Sequence, residues 1–293
     1  MCGSFGIAAV AAAQTQIQSN FENGSISPFR TEVCCGNSIS VINTPFPARS
    51  GSRAVQLKWY QQNYQGNRIT RGVEVTTRER GAKETWFGFS FYLPDGEFPR
   101  DKSLIIAQQN AWHQSCQTDK TTVLYVSPKE LGIHGYWGYG FKLNGRVGGA
   151  LTTDIPRDRW VDVVIHTIFS RSNKGLFEVW FDGAPANRPT LKLTNINIGT
   201  GCWSGDTLNY GQYAKLGIYA WDTTNYTVGE SRTIYFDNVT YLTSGHASGF
   251  SLVNPFNLRR LTRQRNLNQR KNVDLQPDPD QKRCQNYRNR LNR

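Results

Sequence analysis

The sequence holds a single methionine, no Cys-x-x-Cys pair, and no apolar run near the roughly 18 residues that a membrane helix needs. The absence of paired cysteine spacings excludes the common zinc folds. No stretch keeps a capped helical period, so a helical bundle is excluded. No tandem repeat is present, which removes the repeat architectures.

What is abundant points to sheets. Aromatic residues make up 12% of the 293 positions, with 8 Trp and 13 Tyr, and there are 27 Gly. Aromatic and β-branched side chains pack well on pleated surfaces, and glycine serves the turns between strands. From Ala54 onward, strand-length segments such as AVQLKWY, GVEVTTRER, TWFGFSFYL, SLIIAQQ, WVDVVIHTIF, LFEVWFDG, AKLGIYAW and RTIYFDNVTYL alternate with turn signals. Breaks are predicted at Pro94-Asp95-Gly96, Leu143-Asn144-Gly145, Ser172-Asn173-Lys174-Gly175 and Asp182-Gly183. About ten strands in one unbroken block predict an all-β jelly roll: a sandwich of two antiparallel sheets, one with a concave face suited to a polymer.

The ends differ from this block. Residues 1–13 form a short apolar stretch ending in small residues, read as a secretory signal that lacks the usual basic start. The expected domain is 14–252 and the expected tail 253–293. Between 257 and 293, eleven Lys and Arg against three Asp account for +8 of the +12 formal charge. The tail has too few large apolar residues to bury a core, and its lone Tyr287 and lack of a known motif argue against nucleic acid. Sequons begin at Asn23, Asn225 and Asn238, and with the signal they favour secretion. Disulfides are then expected among Cys34, Cys35, Cys116, Cys202 and Cys284, either Cys116 with Cys202 or one of Cys34 and Cys35 reaching another loop. Cys2 would leave with the signal.

Three segments place polar side chains on one strand face by period-two alternation. They are Glu74, Thr76, Arg78 and Arg80; Gln108 and Asn110, just before His113; and Tyr213, Lys215 and Tyr219, with Gly217 between. Together they hold the groups needed to eliminate across a uronate. The proton beside a sugar carboxylate is poorly acidic until the carboxylate charge is neutralised by amide, imidazole or guanidinium donors. A base then removes it and an acid protonates the departing glycosidic oxygen. A Tyr hydroxyl near Lys or Arg can have its pKa lowered enough to fill either role.

These segments, with ETWFGFSFYLP, RDRWVDVVIHTIFSRSNKGLFEVWFDG and AKLGIY, resemble the jelly-roll polysaccharide lyases: alginate lyases, heparin lyase I and fungal glucuronan lyases. The resemblance covers about residues 20–245 and is strongest at YAKLGIY. It implies a secreted enzyme that cleaves a glucuronan-like polysaccharide by β-elimination. Gln108 would neutralise the carboxylate, Lys215 would be the lysine of the last motif, and Tyr213 or Tyr219 the catalytic tyrosine. The family's Gln-x-His is replaced by Gln108-Gln109-Asn110, so either Asn110 or His113 takes the second neutralising role. Arg71, Arg78 and Arg80 are candidate substrate clamps.

His134, in LGIHGYWGYG, is a further cleft candidate, whereas His166 in its apolar run reads as a core residue. Glu22 and Asp237 would meet if the first and last strands pair, and related jelly rolls often carry a structural calcium at such a place. No cofactor is expected for the chemistry itself. The expected partner is an acidic polysaccharide, with no membrane or nucleic acid, and the expected state is a monomer. The competing reading is a lectin-like binding module, which has no use for a Tyr-x-Lys strand beside a neutralising amide. A retaining glucanase needs two carboxylates about 5 Å apart, and its usual Glu-x-Asp-x-x-Glu run is absent.

Overall fold

The computed structural model describes residues 15–111, 120–140, 142–222, 225–245 and 247–257. Its strands begin with β1 (Gln16–Ser19), β2 (Arg30–Glu32), β3 (Ser38–Asn43), β4 (Arg53–Tyr60), β5 (Gly72–Thr76) and β6 (Glu84–Tyr92). They continue as β7 (Leu104–Asn110), β8 (Lys120–Val126), β9 (Leu131–Tyr139), β10 (Lys142–Thr152), β11 (Trp160–Ile168) and β12 (Ser170–Phe181). Then come β13 (Leu191–Ile198), β14 (Trp203–Ser204), β15 (Thr207–Leu208), β16 (Tyr213–Tyr219), β17 (Ser231–Leu242) and a short helix, α1 (Gly249–Val253).

Two antiparallel sheets take up all but β14 and β15, as the jelly-roll reading requires. The back sheet runs β13-β12-β11-β6-β17-β4-β3, with β1 also on β17. The front sheet runs β10-β9-β8-β7-β16-β5-β2. Alternation explains the core. On β6, Phe87, Phe89 and Phe91 point inward and are buried, together with Val163 and Ile165 of the neighbouring β11. They join one cluster with Leu124, Ile133, Leu216 and Ile218 of the front sheet. Each such side chain contributes about 1.5–3 kcal/mol by leaving water.

Several local expectations need correction. Asn144-Gly145 is not a hairpin turn; it lies inside β10, where the register slips between Leu143 and Gly145. That glycine is used for a bulge, and the chain turns instead between Tyr139 and Lys142. Asp182-Gly183 does turn: both residues have positive φ, 52° and 86°, and the Ala184 amide donates to the Phe181 carbonyl. Cys34 and Cys35 bond to each other rather than to a distant loop, in a tight turn closed by the Asn37 amide on the Cys34 carbonyl. Cys202 is also disulfide-bonded.

The boundary expected after residue 252 falls inside packed structure. Val253 is fully buried against Trp86, Val164, Trp180 and Leu242, so α1 closes the outer face of the back sheet. The signal segment 1–13 with Cys2, His113, Cys116, Cys284 and the tail beyond 257 lie outside the described residues.

Candidate active site

One face of the front sheet carries a continuous groove with two lobes. One, of about 510 Å³, is lined by Glu32, Arg68, Glu74, Arg80, Asn110, Tyr213, Lys215 and Tyr219 among others. The second, of about 730 Å³, shares Arg68, Glu74, Asn110 and Tyr219 and extends to Arg71, Gln108, Lys120, His134, Tyr136, Arg146 and Trp221.

Strand register brings the sequence candidates together. Lys215 on β16 lies opposite Gln108 on β7, and Tyr213 lies opposite Asn110. Opposed residues in an antiparallel pair share a face, so all four point into the groove. On the other flank β16 pairs with β5, placing Gly217 opposite Glu74.

The polar groups form one chain across four strands, buried except at Glu32. Glu32 on β2 accepts from the Lys215 ammonium at 2.6 Å, and Glu74 on β5 accepts from the same group at 3.4 Å. The other Glu74 oxygen accepts from the Gln108 amide at 2.6 Å. Gln108 in turn accepts from the Asn110 amide at 2.9 Å. A carboxylate can only accept, so Glu74 fixes which end of the Gln108 amide faces it and leaves one Gln108 N–H uncommitted.

Gly217 lets β16 lie this close to β5. Glu74 reaches Gln108 past β16, and an alanine Cβ at 217 would lie 2.1 Å from the Val73 carbonyl oxygen. The register of β16 against β7 slips between Leu216 and Tyr219, but against β5 it is regular, so alternation puts Tyr219 on the groove face with Lys215. Gly217→Ala is expected to destabilise the domain by about 1–3 kcal/mol, read by thermal denaturation. Activity should fall further than stability, because the displaced β16 carries Lys215 and both tyrosines.

The charges are set by this burial. Burial would lower the Lys215 pKa, but Glu74, Tyr213 and Glu32 outweigh it and push it up to about 12. Burial raises the Glu74 carboxyl above its usual range, opposed by Lys215 and the Gln108 hydrogen bond. Tyr213 also moves up, chiefly by burial and despite Lys215 and Arg80. A Lys-lowered phenol, expected from the sequence, is therefore not what Tyr213 is; desolvation outweighs the neighbouring cations and keeps the hydroxyl protonated.

Arginines flank the two tyrosines. Arg80 stands over the Tyr213 ring, 5.0 Å from its centroid. Arg71 is 6.0 Å from the Tyr64 centroid, with the Tyr219 hydroxyl also beside it. Arg78 is not brought in: β5 ends at Thr76, the alternation stops there, and Arg78 is exposed and lines neither lobe. His134 lines the second lobe, stacked on Tyr125 at 4.8 Å, and burial followed by Arg146 lowers its pKa. His166 is on the back sheet, between Glu84 and Glu178 at 2.8 and 2.9 Å and stacked on Trp86.

Sequence reasoning left Glu32, Glu74, Arg68, Lys120, Tyr136 and Arg146 out of the site. For Glu74 the signal was present, since it shares the strand face on which the arginines were chosen. Glu32 lies on a three-residue strand with no alternation to read.

Glu22 and Asp237 converge on one loop, away from the groove. Asp237 is fully buried and accepts from the Ser50 amide at 2.8 Å and the Asn238 amide at 2.6 Å. Glu22 accepts from the Ser52 amide at 3.0 Å and the Arg53 amide at 2.8 Å. Burial, with the Glu22 charge adding to it, raises Asp237 well above the usual carboxylate range. Among the described residues no three His, Cys, Asp or Glu side chains cluster as a metal site.

Comparison with known proteins agrees with this architecture. The polysaccharide lyase family model matches residues 19–240. An endo-β-1,4-glucuronan lyase from the fungus Trichoderma reesei superposes with a TM-score of 0.60 at 22% identity, covering 82% of this chain and 98% of that one. The cellulose-induced protein Cip1 superposes at 0.51 with 11% identity, over 78% of this chain and 97% of its own. A PL-14 alginate lyase from Aplysia kurodai gives 0.50 at 12% identity, over 74% and 91%. No curated relative matches the chain in sequence.

Proposed function

The chain belongs to the polysaccharide lyase family, and from that premise we propose that it cleaves a uronate-containing polysaccharide, glucuronan-like in type, by β-elimination. The observation that carries this reading is the polar chain from Lys215 through Glu74 and Gln108 to Asn110, set in a groove whose cations outnumber its acids. Among the described lining residues, Arg68, Arg71, Arg80, Lys120, Arg146 and Lys215 stand against the two carboxylates Glu32 and Glu74. Such a groove draws in a polyanion.

In the proposed reaction, the free Gln108 N–H and the Asn110 amide hold the uronate carboxylate and stabilise the charge that builds on it as C5 loses its proton. Tyr219 accepts that proton as its phenolate, held by the Arg71 guanidinium beside it, and so ends as the neutral phenol. The C5–H electron pair becomes the C4–C5 double bond as the C4–O bond breaks. Tyr213, kept protonated by burial, gives its proton to the departing oxygen. The products are an unsaturated uronate end and a free hydroxyl.

The fold also brings Glu32 and Glu74 to opposed positions on β2 and β5, a pair of carboxylates that no sequence spacing announced. Both are committed to Lys215, and Glu74 also to Gln108, so neither stands ready as the nucleophile of a hydrolase. The products decide the matter. A panel of glucuronan, alginate and glycosaminoglycans should yield ultraviolet-absorbing unsaturated ends with at least one polymer. New reducing ends without that absorbance would mean hydrolysis, and tight binding without cleavage would mean a binding module.

Secretion fits a substrate of this size. Among the described residues no helix is long and apolar enough to cross a membrane. The Glu22–Asp237 pair fits a structural calcium: both carboxylates are hard oxygen donors, and neither has an ion-pair partner among the described residues. The bound ion would tie the loop at 50–53 to β17 and take no part in the chemistry.

The sign of the pH effect follows. A carboxyl raised in the folded state favours folding when protonated, so its contribution is lost as pH rises from the ordinary carboxylate value through the folded one. In calcium-free buffer, acidification from neutral pH should therefore raise the contribution of Asp237 to stability. At neutral pH, calcium should raise the melting temperature and a chelator should lower it; calorimetry showing no response to either would remove the metal.

A further inference from the structure

The groove extends well past the reacting centre, and the sheet register shows what it holds there. Asn110 on β7 lies opposite Lys120 on β8, where a register slip after Gln109 turns Lys120 to the groove face. The Lys120 ammonium stands 5.4 Å from the Tyr136 ring centroid on β9. Tyr136 lies opposite Arg146 on β10. Tyr213, Asn110, Lys120, Tyr136 and Arg146 thus form one row that crosses five adjacent strands. At about 4.8 Å per strand, Lys120 lies roughly 10 Å from β16 and Arg146 roughly 19 Å. A chain laid along this row, with one sugar at Gln108 and Lys215, must pass over the ring of Tyr136.

Two cations around an aromatic ring suit an acidic sugar and not a neutral one. The ring face supports a pyranose, and the cations meet its carboxylate or sulfate. Arg146 is exposed and makes no ion pair among the described residues. Beyond the reacting centre, Glu130 accepts the Tyr125 hydroxyl and also acts on His134.

We propose that Lys120, Tyr136 and Arg146 form a second anion subsite, which binds the acidic group of a sugar unit remote from the bond being cleaved. It rests on the reading of Gln108 and Lys215 as the reacting centre. It makes the protein a reader of consecutive acidic units, not of a single uronate in a neutral chain.

The test uses the full chain with polyglucuronate and with uronate oligomers of increasing length. Arg146→Gln should raise KM for the polymer roughly fivefold, and K120Q/R146Q roughly twentyfold if the two add. The loss in kcat/KM should grow with oligomer length, smallest for the shortest oligomer that is cleaved and largest for the polymer. Affinity for polyglucuronate, measured by calorimetry, should fall in parallel, and R146K should recover most of it. A double variant that cleaves and binds the polymer as the wild type does overturns the subsite and leaves the reacting centre intact. A fall in kcat that is equal at every length also overturns it, since these residues would then act at the reacting centre. If the wild type cleaves no uronate polymer, the parent reading fails instead, and the affinity measurement alone decides the subsite.

Discussion

Removing one hydroxyl, by Tyr213→Phe or by Tyr219→Phe, is expected to lower kcat by about a hundredfold or more. Each change keeps the ring, so Arg80 can still cover position 213 and the groove wall at 219 remains. What is lost is a proton donor or a proton acceptor. KM for the polymer should move little, because the arginines and the amides still bind it. The two variants should differ with leaving group. A substrate whose departing oxygen needs no proton should rescue the variant at 213, which lacks the acid, and not the variant at 219, which lacks the base. Steady-state rates on a polymer and on an activated aryl glycoside of the same uronate provide the measurement. Full activity in both variants would end the mechanism.

The second large effect is on Lys215. Its ammonium is nearly inaccessible and is the shared counter-charge of Glu32 and Glu74. Lys215→Met keeps most of the volume and leaves Glu74 buried without a cation. Breaking a buried pair on one side costs about 3–5 kcal/mol, so the variant should melt far below the wild type and show no turnover. The loss should be pH-dependent. Glu74 is already raised by burial, and without Lys215 it rises further, so acidification should restore part of the stability. Lys215→Met combined with Glu74→Gln removes the stranded charge, and should recover stability but no activity. Calorimetry on the three variants at neutral and mildly acidic pH tests this. A double variant that turns over normally would show that Lys215 has no part in the reaction.

The sheets were legible in the sequence because each strand carries its own signal. TWFGFSFYL alternates cleanly, and the structure places its three inward phenylalanines in the core. Lys215, Tyr213, Gln108 and Asn110 were legible for the same reason, since alternation says which side chains share a face. Alternation cannot say where a strand stops. Arg78 was counted on β5 and lies two residues beyond its end. Nor can it show what one strand brings to the next: Glu32, Lys215 and Gln108 are far apart in the chain and meet only through pairing. Asn144-Gly145 misled because glycine serves a bulge as readily as a turn. The Tyr213 pKa was misjudged because neighbouring charge can be read from sequence and burial cannot.

The polar chain at the groove floor is anchored at one end on β2, three residues long, exposed, and paired on one side only. Short edge strands are the first to fray on warming. Lifting β2 would take Glu32 from Lys215 and leave Glu74 as the ammonium's one carboxylate partner, with both sheets still folded. Heat would then disarm the groove before it melts the domain, and cooling would re-arm it without any refolding.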